Sequence, residues 1–198
     1  MKQPHNESET HFLLKEIAKY VLWGWGYNKL ATEVHNMYDF DICQRFSKSE
    51  QMKSVMDVVG VKKIGKFIPG RGYECYYDVR GIEAKASISD FKNGFCCAPS
   101  LTYIIAPIGI IPVDLLPEKI GLIEVDFADF SMKKLSNKIS GMNGINLTAK
   151  AKRRIDRRFK DQEAYRRWCQ DMLETVAYRC SQELLFWRNA IEFEGEGK

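Results

Sequence analysis

Three residues on two neighbouring segments carry the chemistry most easily read from this chain. Asp57 interrupts the apolar run "VMDVVGV", and Glu83 and Lys85 stand two apart in "VRGIEAKASISDF". Alternation along a strand puts Val79, Gly81, Glu83 and Lys85 on one face and Ile82, Ala84 and Ala86 on the other. In the earlier segment Asp57, Val59 and Val61 oppose Met56, Val58 and Gly60. Pairing of the two across "GKFIPGRG" would bring Asp57 close to Glu83. Two carboxylates and a lysine suit a divalent cation. Oxygen ligands favour Mg²⁺, which keeps several waters and is held by one or two carboxylates plus substrate phosphate. Such an ion acidifies bound water and neutralises charge developing on a phosphoryl group. Lys85 would stabilise that charge or orient the attacking water. Together these parts make a phosphodiester-cleaving site. A salt-bridged strand edge, worth about 0–1 kcal/mol when exposed, accounts for the same spacing and is the simpler account of spacing alone.

The elements that must position these residues follow from periodicity. Residues 9–23 repeat Phe12, Leu13, Ile17, Tyr20 and Val21 at three and four spacing, an amphipathic helix with Ser8 as N-cap. "GWGYN" breaks it. Residues 28–36 read as a strand with Leu30, Thr32 and Val34 on one face and Ala31, Glu33 and His35 on the other. Strands are expected over 53–63 and 73–87, a short helix in "ISDFKNGF" capped by Ser87 or Ser89, and strands over 100–107 and 121–127. Residues 128–149 are rich in Gly, Asn and Ser and read as a linker or flexible loop. Strong helix formers dominate 150–191, with Tyr165, Trp168, Met172, Val176 and Tyr178 as the apolar stripe. The expected order is an α/β core with a helical C-terminal addition. It divides into a core over 1–127, the linker over 128–149 and a basic helical extension over 150–198.

The 198 residues suit one domain with an appendage, and 45% hydrophobic against 28% charged residues suits a globular fold. No apolar run reaches the length of a membrane span. The polar N-terminus lacks an apolar signal region, so a cytoplasmic protein with reduced thiols at its six cysteines is expected. The net charge is +4, and seven of the eleven residues in "KAKRRIDRRFK", 150–160, are Lys or Arg. That run suits either a phosphate backbone or a solvated helix face.

The order and context of these landmarks resemble a known family. "MDVVGV", then "GIEAKAS", then "SDF" is similar to the PD-(D/E)XK nuclease superfamily, with an acid on one strand and (D/E)-x-K on the next. "EAKASISDF", "LTYIIAP" and "LLPEKIGLIEVDF" resemble most closely the MmcB-like DNA-repair subfamily. The resemblance covers about residues 10–127. It implies a restriction-endonuclease-like αβββαβ core with a mixed sheet, and a Mg²⁺-dependent deoxyribonuclease, with Mn²⁺ as a substitute ion. It implies that Asp57 and Glu83 ligate the metal with the carbonyl of Ala84, and that Lys85 is the catalytic lysine. Glu16 and Glu33 are the candidates for an additional acid. Ser87 and Asp90 match positions after the lysine, Lys92 would stand in for a later lysine of the pattern, and all three are candidates for substrate binding. Lys152, Arg153, Arg154, Arg157 and Arg158 would grip the backbone of DNA, the expected partner ahead of RNA, with a homodimer as a further option and no membrane. After "DF" the subfamily pattern lapses: "KNGFCCAPS" lacks its second Asp, its Trp and its downstream Tyr. That lapse leaves room for a non-catalytic nucleic-acid-binding or partner-inhibiting protein on the same fold.

Other candidates carry less. His5, His11 and His35 have no metal-type spacing. Trp23 and Trp25 read as packing ahead of base stacking, and the aromatic residues interleaved with Arg166, Arg167 and Arg179 fit a packed helix as well as a nucleic-acid face.

Overall fold

The computed structural model describes residues 8–35, 55–70, 72–96, 101–135, 138–152 and 162–195. Helix α1, Glu9–Gly24, leads into strands β1, Lys29–His35, β2, Val55–Ile68, and β3, Gly72–Ala84. A short helix α2, Ile88–Lys92, precedes β4, Leu101–Pro107. A single 3-10 turn, Val113–Leu115, separates β4 from β5, Gly121–Val125. Then come β6, Ser131–Leu135, β7, Lys138–Asn143, and β8, Ile145–Ala149, and finally helix α3, Gln162–Gly195.

The main sheet has six strands in the order β1-β2-β3-β4-β5-β8. β3, β4 and β5 run parallel, and the outer pairings are antiparallel, so the sheet is mixed. This is the α/β architecture with a C-terminal helix that the periodicity predicts. Helix α1 packs Leu14, Ile17, Ala18, Val21 and Leu22 with Val58, Ile82, Ala84, Ile105 and Ile123 of the sheet. Helix α3 packs Cys169, Met172 and Val176 with Ala31, Val59, Val61 and Val79. Val58 and Val59 therefore feed two different cores, as a strand buried on both faces must. α2 closes a third cluster through Phe91, with Phe95, Ile104 and Leu122.

Several expectations need correction. The buried stripe of α1 is turned by one residue: Leu14 is buried and Leu13 is exposed. Lys15 lies on the buried side, so the apolar stripe is interrupted by a charge. β1 does not alternate cleanly, because Glu33 adopts φ 53° and Ala31 and Val34 then face the same core. β2 continues well past residue 63, to Ile68, and β3 ends at Ala84.

Residues 128–149 are not a linker but hold three strands, and β8 hydrogen-bonds to β5 as an edge of the main sheet. Of the two glycines there, Gly141 lies within β7 and Gly144 serves a tight turn. Gly144 has φ +72°, and a Cβ at that position would stand 2.7 Å from the Asp126 carbonyl. Residues 150–152 are not helical, and α3 starts at Gln162. Tyr178, expected in its buried stripe, is exposed. α3 is a layer of the domain, not an appendage.

Candidate active site

The β2–β3 register pairs Val58 with Ile82, so the next position outward sets Asp57 opposite Glu83. The β1–β2 register pairs Thr32 with Val58 and Val34 with Met56, which sets Glu33 opposite Asp57. One acid from each of three adjacent strands thus occupies a single row across the sheet. Neither step of that row is closed by an ordinary backbone pair. The Asp57 N–H donates to Glu83 Oε1 at 3.3 Å, and the Ala84 N–H donates to Asp57 Oδ2 at 2.8 Å. Two carboxylates stand where strand carbonyls would, and they satisfy backbone donors at the point where the strands part.

Helix α1 supplies the basic partners. His11 and Lys15, four residues apart, fall on one side of the helix. His11 Nε2 lies 3.3 Å from Asp57 Oδ2, and Lys15 Nζ lies 2.5 Å from Glu33 Oε1. Burial pushes the Asp57 carboxyl up, but the His11 hydrogen bond and charge, the Ala84 N–H and Lys85 outweigh it, and hold it below its ordinary value of 3.8. Asp57 is therefore ionised at neutral pH.

Lys85 follows the last residue of β3 and continues its ladder, its N–H donating to the Ile105 carbonyl at 2.9 Å. Its Nζ donates to the Gly94 carbonyl at 3.0 Å and stands 3.6 Å from both Glu83 and Asp90. Ser87 caps α2 by accepting from the Asp90 N–H, and Asp90 in turn accepts from the Ala86 N–H. Capping thus fixes Asp90, and Asp90 helps fix the Lys85 ammonium. Glu83 and Lys85 are 2% and 1% exposed, whereas the Asp57 side chain keeps 15%.

The expected residues sort cleanly by position. Asp57, Glu83, Ala84, Lys85 and Asp90 come together, with Ser87 as the cap behind Asp90. Glu33 joins the row, whereas Glu16 pairs with Lys19 on the helix at 2.6 Å. Lys92 is exposed in the last turn of α2. Lys152 is exposed, 4.0 Å from Glu118 on the far side of β5 and β8. Arg153, Arg154, Arg157 and Arg158 lie outside the described residues. Trp25 packs its ring 5.0 Å from Tyr103, and Trp23 is exposed.

His11 and Lys15 escape sequence reasoning based on metal spacing. The available signal was their i, i+4 relation, with Lys15 beside the apolar Leu14, which places an imidazole and an ammonium on the inner side of α1.

The resemblance implies a divalent ion, and the donor set allows one of modest denticity. Among the described residues no group of three or more His, Cys, Asp or Glu is placed to hold a metal. Asp57 and Glu83 make the two-carboxylate set that Mg²⁺ accepts when water and substrate complete its shell. His11 Nε2 and the Ala84 N–H both meet the Asp57 carboxylate at Oδ2. Comparison with protein-family models, with curated proteins and with solved structures returns no match to the chain.

Proposed function

We propose that the chain is a metal-dependent nuclease that hydrolyses DNA phosphodiester bonds in repair or processing. One observation carries the reading: Asp57 and Glu83 face each other where β2 and β3 part, with Lys85 two residues beyond Glu83 and beside it. The element order α1, β1, β2, β3, α2, β4 supports it as well, being the αβββαβ order of the superfamily that the motifs resemble.

Asp57 and Glu83 would hold Mg²⁺, or Mn²⁺ in its place, with the Ala84 carbonyl as a further donor. The ion, when bound, supplies an acidified water and charge neutralisation at the phosphate. The chain's own residues do the rest. The Ala84 N–H fixes the rotamer of Asp57, and His11 balances its charge. Asp90 and the Gly94 carbonyl hold the Lys85 ammonium beside Glu83, from which it would donate to charge building on the scissile phosphate. Glu33, held by Lys15, is the candidate third acid.

The test is a nuclease assay on single-stranded, duplex and branched DNA with Mg²⁺, Mn²⁺ or EDTA. The expected result is cleavage with either ion and none in EDTA. Equal cleavage by wild type, Asp57→Asn and Lys85→Met would sink the reading.

Burial favours a second reading. With Glu83 and Lys85 2% and 1% exposed, the pair also suits a structural ion pair in a non-catalytic nucleic-acid-binding or partner-inhibiting protein. Binding of DNA without cleavage in any metal would select it.

A further inference from the structure

β1 pairs with β2 only over residues 55–61, and β4 pairs with β3 only over residues 80–84. The β2–β3 ladder runs on without them, from Lys62↔Asp78 to Ile68↔Gly72. Residues 62–68 and 72–78 thus leave the sheet as a two-stranded ribbon, about 23 Å long at ~3.3 Å per residue. An isolated ribbon of this kind is marginal in water, and this one is braced at its base. Tyr77 packs against the α3 core, Arg166 of α3 meets Glu74 at 3.3 Å, and Lys62 Nζ donates to the Trp25 carbonyl at 3.1 Å.

The far end is built differently. Phe67 and Tyr73 are directly paired across the strands, and they are 66% and 70% exposed. Tyr73 lies over Gly65, where a Cβ would stand 2.3 Å from its ring. A glycine inside a strand weakens it; here it leaves the space in which the tyrosine ring rests. Lys63, also exposed, shares this face with Gly65 and Phe67 by alternation. In sequence the segment 62–78 carries Lys62, Lys63, Lys66 and Arg71 against two acids, Glu74, whose carboxylate Arg166 already takes, and Asp78, which is buried at the base against the Tyr27 hydroxyl. An exposed aromatic pair in a basic setting suits a polyanion with stackable faces. Bases within a duplex are already stacked, so unpaired bases gain more from such a platform.

We propose that the β2–β3 ribbon is a stacking arm for unpaired nucleotides, with Phe67 and Tyr73 against base faces and Lys63 on the backbone. The proposal rests on the nuclease reading for its choice of DNA and deepens it: the substrate is DNA carrying a single-stranded segment.

The experiment is fluorescence anisotropy in EDTA, using the full chain, a labelled 20-nucleotide single strand, its blunt duplex and the matching RNA. The Phe67→Ala/Tyr73→Ala variant is expected to bind the single strand at least about tenfold more weakly, the scale of lost base stacking, with a smaller loss on duplex. Phe67→Tyr/Tyr73→Phe, which keeps both rings, should bind like wild type. The proposal is overturned by unchanged single-strand affinity in the double-alanine variant, by equal losses on single strand and duplex, or by tighter binding of the RNA. It is also overturned if wild type binds no oligonucleotide, or if the double-alanine change alters self-association in sedimentation and leaves DNA binding intact. Arm-dependent binding without metal-dependent cleavage supports the arm and removes the nuclease. Cleavage that ignores the arm does the reverse.

Discussion

Asp57 donates its backbone N–H to the Glu83 carboxylate at 3.3 Å, so a side chain does the work of a strand carbonyl at the point where β2 and β3 part. The reverse bond, from the Ala84 N–H to Asp57 Oδ2, makes the Asp57 carboxylate structural as well as chemical. Asp57→Asn keeps an amide oxygen for Ala84 and removes the charge. At neutral pH it is expected to melt below wild type, because the ionised carboxylate favours the fold, and to lose cleavage by about two orders of magnitude or more, the scale of a removed charge-stabilising group. Asp57→Ala strands the Ala84 N–H and should in addition lose about 1–3 kcal/mol of stability. Comparing the two separates the roles.

Lys85 is nearly sealed between Glu83 and Asp90. Its removal leaves a buried carboxylate uncompensated, so Lys85→Ala is expected to cost about 3–5 kcal/mol in urea denaturation. The double variant Glu83→Gln/Lys85→Met, which removes both charges, should recover most of that loss. A double variant no more stable than Lys85→Ala would count against a paired, buried ion.

His11 and the Ala84 N–H hold the Asp57 carboxyl below 3.8. A depressed folded value stabilises the fold above the unfolded value, and that stability drains away as pH falls through the folded one. Acid unfolding below about pH 3.8 should therefore draw on Asp57. His11→Gln removes a cation that lowers the value, so the acid limb should move to higher pH in denaturation curves taken between neutrality and acid. An unmoved limb would dismiss the His11 contribution.

Glu183 accepts from both the N–H and the hydroxyl of Thr32, at 2.8 and 2.5 Å. Glu183→Ala leaves an edge-strand donor bare. A stability loss of about 1–3 kcal/mol is expected, together with concentration-dependent self-association in sedimentation, because exposed strand edges pair. Gln182→Ala, on the exposed side, is the control and should change neither.

Alternation in "GIEAKAS", together with pairing to "VMDVVGV" across the loop, placed Asp57 near Glu83 and Lys85, although Met56, expected on the Val58 side, joins Val59 and Val61 in the other core. Ser87 was legible for a similarly local reason: a serine three residues before Asp90 caps a short helix. His11 and Lys15 were not legible, since their partners lie 46 and 18 residues away and α1 offers Leu13 and Leu14 as rival inward positions. Glu33 at positive φ broke an alternation that assumed regular strand geometry. The strands within 128–149 were hidden by composition. Gly144 marks a turn, and the pairing that makes β8 a strand comes from β5, twenty or more residues earlier.

Glu183, Arg179 and Cys180 each bond the outer backbone of β1, at Thr32 and Leu30. Their immediate neighbour is Glu33, the residue at φ 53° whose carboxylate Lys15 holds. The C-terminal helix is thus a jig on which the first acid of the row is set. A change to that helix far from the row should be felt as a change in how Glu33 is aimed, so the end of the chain has a hand in tuning its beginning.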